Sequence, residues 1–468
     1  MKSEKASGAP WQHHPPTYRA AEIHQLASWI RAGASGSLLG LRGSGRSNVL
    51  GFLCHRPDAL QAYINPAKLT VALVLVDLGD LPTSTVGDLY RVILRAFYEA
   101  QARFTTDAQQ VVAQIYTEHQ ALTDPFLTQS ALRKIFFHFQ DAGQRIVLVI
   151  DRFDSFSRMV TPEMAQTLNS LRDTFRDTLS YIVGIRQSLT YLADIDLPAD
   201  LYRLLTTHVC QLGPLNAADA RFLIQRRTQV SDTPPSAEEM QTMLMLTGGY
   251  PTLLEAVCRW WLIEVDPPPP DQWLPHLAAA PAMQHRLQGI WSGLTQEEQL
   301  TLTELVRGRL THQATPTPMQ QWHAHVLHNL AAKGICYQQA DQWTVFGTLF
   351  VDYIAQVGGM SRGRIWLDPA TDTLHHGPML LDTLTAKESA VLRFLSEHPG
   401  VCHSYTDLIV NVWNDEENYN GVTNDSLFQI IKGLRRKIEP NAAQPVYVVN
   451  WRGKPEGGYI FYAEGRPT

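Results

Sequence analysis

No two of the five cysteines, at 54, 210, 258, 336 and 402, are spaced as the CxxC pair that holds zinc or a redox disulfide. They read instead as small buried hydrophobes of a chain in a reducing compartment. Positive charge is also in short supply: 39 Lys and Arg face 45 Asp and Glu, a formal net charge of −6. A protein-wide field that would gather nucleic acid is therefore excluded, and any surface for it must be a local patch. Long apolar runs are missing, since no stretch of about 18 apolar residues occurs, and the opening MKSEKASGAPWQHHPP lacks the apolar core of a signal peptide. A cytoplasmic protein without membrane contact is expected. Internal repeats are absent too. His13 and His14 come nearest to a metal pair, but adjacent histidines in a proline-flanked tail point to no metal, and residues 1–16 read as a flexible tail.

What remains is the composition of globular domains, 44% hydrophobic and 18% charged over 468 residues, enough for roughly three units. Strand-like runs, SLLGL from Ser37, VALVLVDL from Val71, RIVLVID from Arg145, SYIVGI from Ser180 and THVCQL from Thr207, alternate with amphipathic segments. Short β-branched apolar runs between helices predict a buried parallel sheet with crossover helices over residues 17–213. From Pro214 the apolar positions fall at helical spacing, predicting a helical subdomain over 214–275. Four prolines at 267–270 cannot continue a helix and read as a stiff linker. Residues 276–360 then give helices followed by GICYQQADQWTVFG, two short strands about a polar turn, so a small winged-helix unit is expected. Its scarce Lys and Arg suit packing or coupling better than DNA binding. Over 361–468, RIWLD, TLHHG and PMLLD precede three helical segments and a terminal hairpin.

Residues 40–47, GLRGSGRS, fit the phosphate-binding pattern GxxxxGK[ST] except that Arg46 replaces the lysine. They follow an apolar strand and precede a helical run, the context the pattern requires. Gly40, Gly43 and Gly45 allow the loop to wrap phosphates and aim backbone N–H groups inward at a helix N-terminus, and Ser47 suits magnesium. The alternative is a plain Gly/Ser turn. A second half of the signature is IVLVIDRFDSF, a strand ending in Asp151, the expected magnesium partner. Where many hydrolytic proteins carry a glutamate that orients the attacking water, this chain has Arg152. Arginine is a planar fork and lysine a compact point charge, so Arg46 is no simple replacement. Asp154 either serves as a displaced water-orienting acid or caps a turn.

Together with TYRAAEIHQLASWI, YIVGIR, GPLNAADARFLI and TGGYP, these motifs resemble a STAND-type ATPase, related to AAA+ and Orc/Cdc6-like modules, over roughly residues 17–355. The resemblance implies an α/β P-loop fold with a helical lid, and ATP or ADP held by Gly40, Gly43, Gly45, Arg46, Ser47 and Asn48. It implies magnesium on Ser47 and Asp151, Arg186 facing the terminal phosphate, Pro251 coupling the lid to the nucleotide, and Tyr18 and Arg19 near the base. The residues alone leave Pro251 open as a helix start and Arg186 as the partner of a nearby acid.

The segments LTAKESAVLRFLSEHPG, IIKGLRRKIEP and the RG and GY of the hairpin resemble the winged-helix effector domain of OmpR/PhoB-type regulators, without a phosphoacceptor domain before it. In the third helix Leu427, Ile430, Ile431, Leu434 and Ile438 form a core-facing stripe, while Asn424, Gln429, Lys432 and Arg436 lie largely opposite, suited to a major groove. Thr423 or Asn424 would cap that helix. Arg435 and Lys437 complete a basic cluster, and Arg452 and Lys454 sit at the hairpin turn. Against DNA stands the balance over 364–468, 10 Lys and Arg to 13 Asp and Glu. The leading expectation is a nucleotide-responsive regulator of double-stranded DNA, its DNA-binding domain free to dimerise in one state. The alternatives are a non-hydrolysing adaptor or scaffold in a defence or mobile-element complex, and an active ATPase acting on DNA or a protein assembly.

Overall fold

The computed structural model describes residues 9–65, 69–121, 124–156, 161–189, 197–231, 233–264, 267–306, 318–339, 342–357, 364–368, 372–376, 379–413, 423–439, 442, 445–453 and 456–466. Two compact units form, one of Met1–Gly293 with Ala332–Ile335, the other of Leu294–Ala331 with Cys336–Thr468.

In the first unit β1 (Gly36–Leu39), β2 (Val71–Asp77), β3 (Arg145–Asp151), β4 (Leu179–Ile185) and β5 (Val209–Gln211) make a parallel sheet in the order β2-β3-β4-β1-β5. All five strands coincide with the apolar runs of the sequence. Helices on both faces bury those runs, and Val74, Ile146, Leu148, Phe97 and Phe136 are among the most enclosed side chains. β4 lies between β1 and β3, and Asp77 and Asp151 are register partners at the carboxyl ends of β2 and β3. Those ends are where open α/β sheets collect ligands.

The tail expected to be flexible over residues 1–16 is packed where it is described. Trp11 stacks on His55 with centroids 4.4 Å apart, and Arg56 Nη1 donates to the carbonyls of Trp11 (3.1 Å), Gln12 (3.2 Å) and His14. One guanidinium collecting three carbonyls pins the segment. The subdomain expected to end at 275 also runs further. Helices Ala217–Thr228, Ala237–Thr247 and Pro251–Ile263 are joined by Trp273–Ala279 and Pro281–Trp291, and the unit continues to Gly293. Trp273 is completely buried, packs edge-on against Trp260 and donates to the Pro268 carbonyl at 2.7 Å. The prolines thus join two parts of one unit.

In the second unit, helices Gln296–Val306 and Pro318–Ala332 precede a hairpin of β6 (Cys336–Gln339) and β7 (Gln342–Val345), followed by helix Thr348–Val357. The C-terminal part opens with an antiparallel meander, β8 (Ile365–Asp368), β9 (Thr373–His376) and β10 (Met379–Leu380). Helices Ala386–Glu397, Tyr405–Val412 and Asn424–Ile438 follow, with a second sheet of β11 (Cys402–Ser404), β13 (Gly458–Phe461) and β12 (Val448–Trp451). Capping boxes Thr385/Glu388 and Ser404/Asp407 start the first two helices. Leu392, Leu395, Leu427, Ile431, Leu434 and Phe461 form their shared core. Cys402 is exposed, unlike the other four cysteines, because it sits on a short edge strand. Among the described residues no helix is long and apolar enough to cross a membrane, and no cluster of metal-ligating side chains occurs.

Candidate functional site

The loop after β1 turns at Gly43 and Gly45, whose φ values of +82° and +89° only glycine adopts without strain. Gly45 is the N-cap of helix Arg46–His55, so its first N–H groups open at the end of the sheet where β3 delivers Asp151. Outward-facing carbonyls of three consecutive loop residues are taken by other parts of the unit. Tyr250 Oη donates to Arg42 O at 3.0 Å, Thr252 N to Gly43 O at 3.1 Å and Arg19 Nη2 to Ser44 O at 3.0 Å. A side chain on Gly43 would collide with Thr252. Pro251 occupies the first turn of its helix and its ring lies against Gly45, so it both starts a helix and touches the loop.

Arg19 ties this assembly together. Its backbone is left-handed at φ +52°, its N–H donates to Asp219 Oδ2 at 3.0 Å, and its guanidinium also reaches the carbonyls of Gly213 (2.8 Å) and Pro214 (2.9 Å). Residues before the loop, the loop itself and the helical subdomain are thereby joined through one buried side chain. Tyr18 packs with His14 and Phe52 and points its hydroxyl towards Gly45. Burial first, then the Arg226 and Arg56 charges, lowers the His14 pKa to about 4.

Arg46 does not extend along the loop but turns into the site. Its Nη1 donates to Asp154 Oδ1 at 3.0 Å, and its Nε lies 3.3 Å from Asp151 Oδ1, an ion contact outside hydrogen-bond alignment. Asp154 Oδ2 is in turn 3.2 Å from Arg186 Nε. The Arg46, Asp151 and Asp154 side chains are only 8%, 8% and 12% exposed, so their charges are poorly screened. Arg186 pairs with the nearby acid, one of the two readings its position allowed. Arg152 is strained at φ +57°, its N–H donates to Asp151 Oδ1 at 2.8 Å and its half-exposed guanidinium lies 3.5 Å from Asp77. The donor set expected for magnesium therefore does not fit that ion as arranged. Asp151 is already engaged by Arg46 and by the Arg152 amide, while Ser47 and Asn48 are exposed on the first helical turn.

In the C-terminal part, Asn424, Gln429, Lys432 and Arg436 are exposed on helix Asn424–Ile438, and Arg452 is exposed after β12. Arg435 and Lys437, expected beside them, point elsewhere. Arg435 donates to Val448 O at 2.9 Å and Asn450 Oδ1 at 2.9 Å and lies over the Tyr459 ring, and Lys437 reaches Thr383 O at 2.9 Å and the Glu388 carboxylate. Each neutralises partners within the fold instead of facing a groove. Thr423 takes the N-cap position without a capping side-chain bond. Lys454 lies outside the described residues. Sequence reasoning missed Asp425 and Phe428, exposed with the polar residues of the same helix. Their signal was an offset from the apolar stripe.

A parallel sheet of this order, the glycine loop between β1 and its helix, and Asp151 ending β3 define the first unit as a P-loop α/β fold, joined in one chain to a C-terminal winged helix. Residues 382–461 match the family described as "Transcriptional regulatory protein, C terminal". Solved structures similar to the chain include the Aeropyrum pernix ORC2 protein in its ADPNP-ADP complexes, 13% identical over 73% of this chain and 92% of that one, with a TM-score of 0.39. A Walker-type ATPase of Pyrococcus abyssi is 14% identical over 72% and 95%, with a TM-score of 0.41. Cdc6p of Pyrobaculum aerophilum is 14% identical over 74% and 93%, with a TM-score of 0.36. No curated protein matches the sequence significantly.

Proposed function

We propose that this chain is a nucleotide-responsive DNA-binding regulator, in which an ATPase module that does not turn over controls the C-terminal winged helix. The observation that carries the reading is the grip on the loop: Arg42, Gly43 and Ser44 carbonyls are held by Tyr250, Thr252 and Arg19. ATP or ADP seated on that loop would shift the helical subdomain and the segment before the loop together. A switch needs only different affinities for two arrangements, so hydrolysis is dispensable. Arg46 in place of lysine and Arg152 in place of the water-orienting acid support a module without turnover. Double-stranded DNA would meet Asn424, Gln429, Lys432, Arg436 and Arg452, with dimerisation of the domain as a further consequence of the switched state.

The test is equilibrium binding of labelled ATP and ADP, with hydrolysis followed in the same samples. Binding without turnover is expected. Absence of binding would sink the switch, and turnover abolished by D151A would establish an active ATPase instead. A second reading, a non-hydrolysing adaptor whose winged helices hold proteins, draws on the internal use of Arg435 and Lys437. Partner binding indifferent to salt, with no affinity for DNA, would favour it.

A further inference from the structure

We propose that the Arg46 guanidinium is the resident counter-cation of the Asp151 and Asp154 carboxylates, standing where P-loop proteins recruit a divalent ion, so that this chain's loop works without a metal. The nucleotide half of this statement rests on the function proposed above, but the metal half stands on geometry alone. A single buried guanidinium spans both acids, at 3.3 Å and 3.0 Å, and Arg186 balances the second carboxylate from the other side at 3.2 Å. Two cations thus face two anions, and the group is neutral as it stands. Asp151 Oδ1 also accepts the Arg152 N–H at 2.8 Å.

A magnesium ion demands close oxygen ligands at about 2.1 Å. To reach Asp151 it would have to enter against the charge of Arg46 and give up the solvent screening that makes such crowding tolerable elsewhere. A lysine in position 46 has a compact head on a flexible stem and leaves an acid beyond it free for metal. The planar fork of arginine satisfies two carboxylates at once and closes that option. The change of one residue in the loop therefore alters which cation neutralises the acids, and it makes that cation covalently permanent.

The test begins without nucleotide. Mn²⁺ binding to the full chain is followed by electron paramagnetic resonance for wild type, R46M and R46Q, with D151N added to each. Wild type is expected to bind no Mn²⁺ that D151N removes, whereas the Arg46 variants gain one such site at least about tenfold tighter. R46Q guards against a misfolded R46M, and thermal unfolding reports folding of both. A D151N-sensitive Mn²⁺ site in wild type overturns the proposal, as does failure of both folded Arg46 variants to gain one. A separate arm compares ATP affinity in excess EDTA and in excess magnesium. Equal affinity is expected, and magnesium-dependent binding overturns the proposal. If ATP binds under neither condition, the switch fails and the Mn²⁺ arm still decides the identity of the counter-cation.

Discussion

At the scale of single residues, the buried charges determine how the loop region responds to mutation and pH. Removing Arg46 leaves Asp151 and Asp154 with a missing partner in a largely dry site, so R46A is expected to lose about 3 kcal/mol of stability in denaturant unfolding. A loss below about 0.5 kcal/mol, the range of ordinary surface changes, would contradict the charge arrangement described here. His14 gives a pH signature. Its Nε2 lies 3.1 Å from Arg226 Nη1 and accepts from it, which requires the neutral ring. With the folded pKa lowered from 6.5 to about 4, chiefly by burial, the unfolded chain takes up a proton that the folded chain refuses. The stabilisation is present above pH 6.5 and is lost as pH falls towards 4. H14Q should show a smaller drop in Tm between neutral pH and pH 5 than wild type; equal drops would remove His14 as the cause. Position 46 was legible as an altered phosphate residue, but its partners were not, because Asp154 lies 108 residues away and only the sheet brings it across.

At the scale of elements, helical periodicity explains both what the sequence revealed and what it concealed. With about 100° of rotation per residue, Gln429, Lys432 and Arg436 oppose the Leu427, Ile431, Leu434 stripe, while Arg435 and Lys437 fall on its two flanks. A long cation on a flank can fold back onto a neighbouring strand or helix, and both do. The basic string at 432–437 therefore overstated the charge available to DNA. K432A or R436A should weaken DNA binding and reduce the slope of log affinity against log salt by about 1 each. R435A should instead lower domain stability and leave that slope unchanged, and a slope change would restore Arg435 to the interface. Glu439, at the end of the same helix, is buried and accepts from the amides of Val446 (2.7 Å), Tyr447 (3.0 Å) and Val448 (2.8 Å). E439A strands those donors and is expected to cost about 2 kcal/mol, read as a lower Tm of the C-terminal domain. Strand positions were read correctly throughout the parallel sheet because continuous apolar runs have one solution, burial on both faces. The prolines at 267–270 were misread as a domain boundary because the indole that caps them, Trp273, acts through packing that no local pattern announces.

At the scale of the whole molecule, a loop held by its own helical subdomain and a winged helix with a small exposed basic face suit control better than strong constitutive binding. The acidic balance of the chain works in the same direction, since nonspecific attraction to DNA is weak and binding depends on a few placed side chains. The most direct measurement is the affinity of the full chain for a random-sequence duplex DNA pool, at one fixed salt concentration, in the absence of nucleotide, with ATP and with ADP. The account predicts that at least one nucleotide changes the affinity by about fivefold or more, and that G43A, which forces the loop against Thr252, abolishes the change while leaving nucleotide-free DNA binding intact. Identical affinities under all three conditions, with nucleotide shown to be bound, would contradict it.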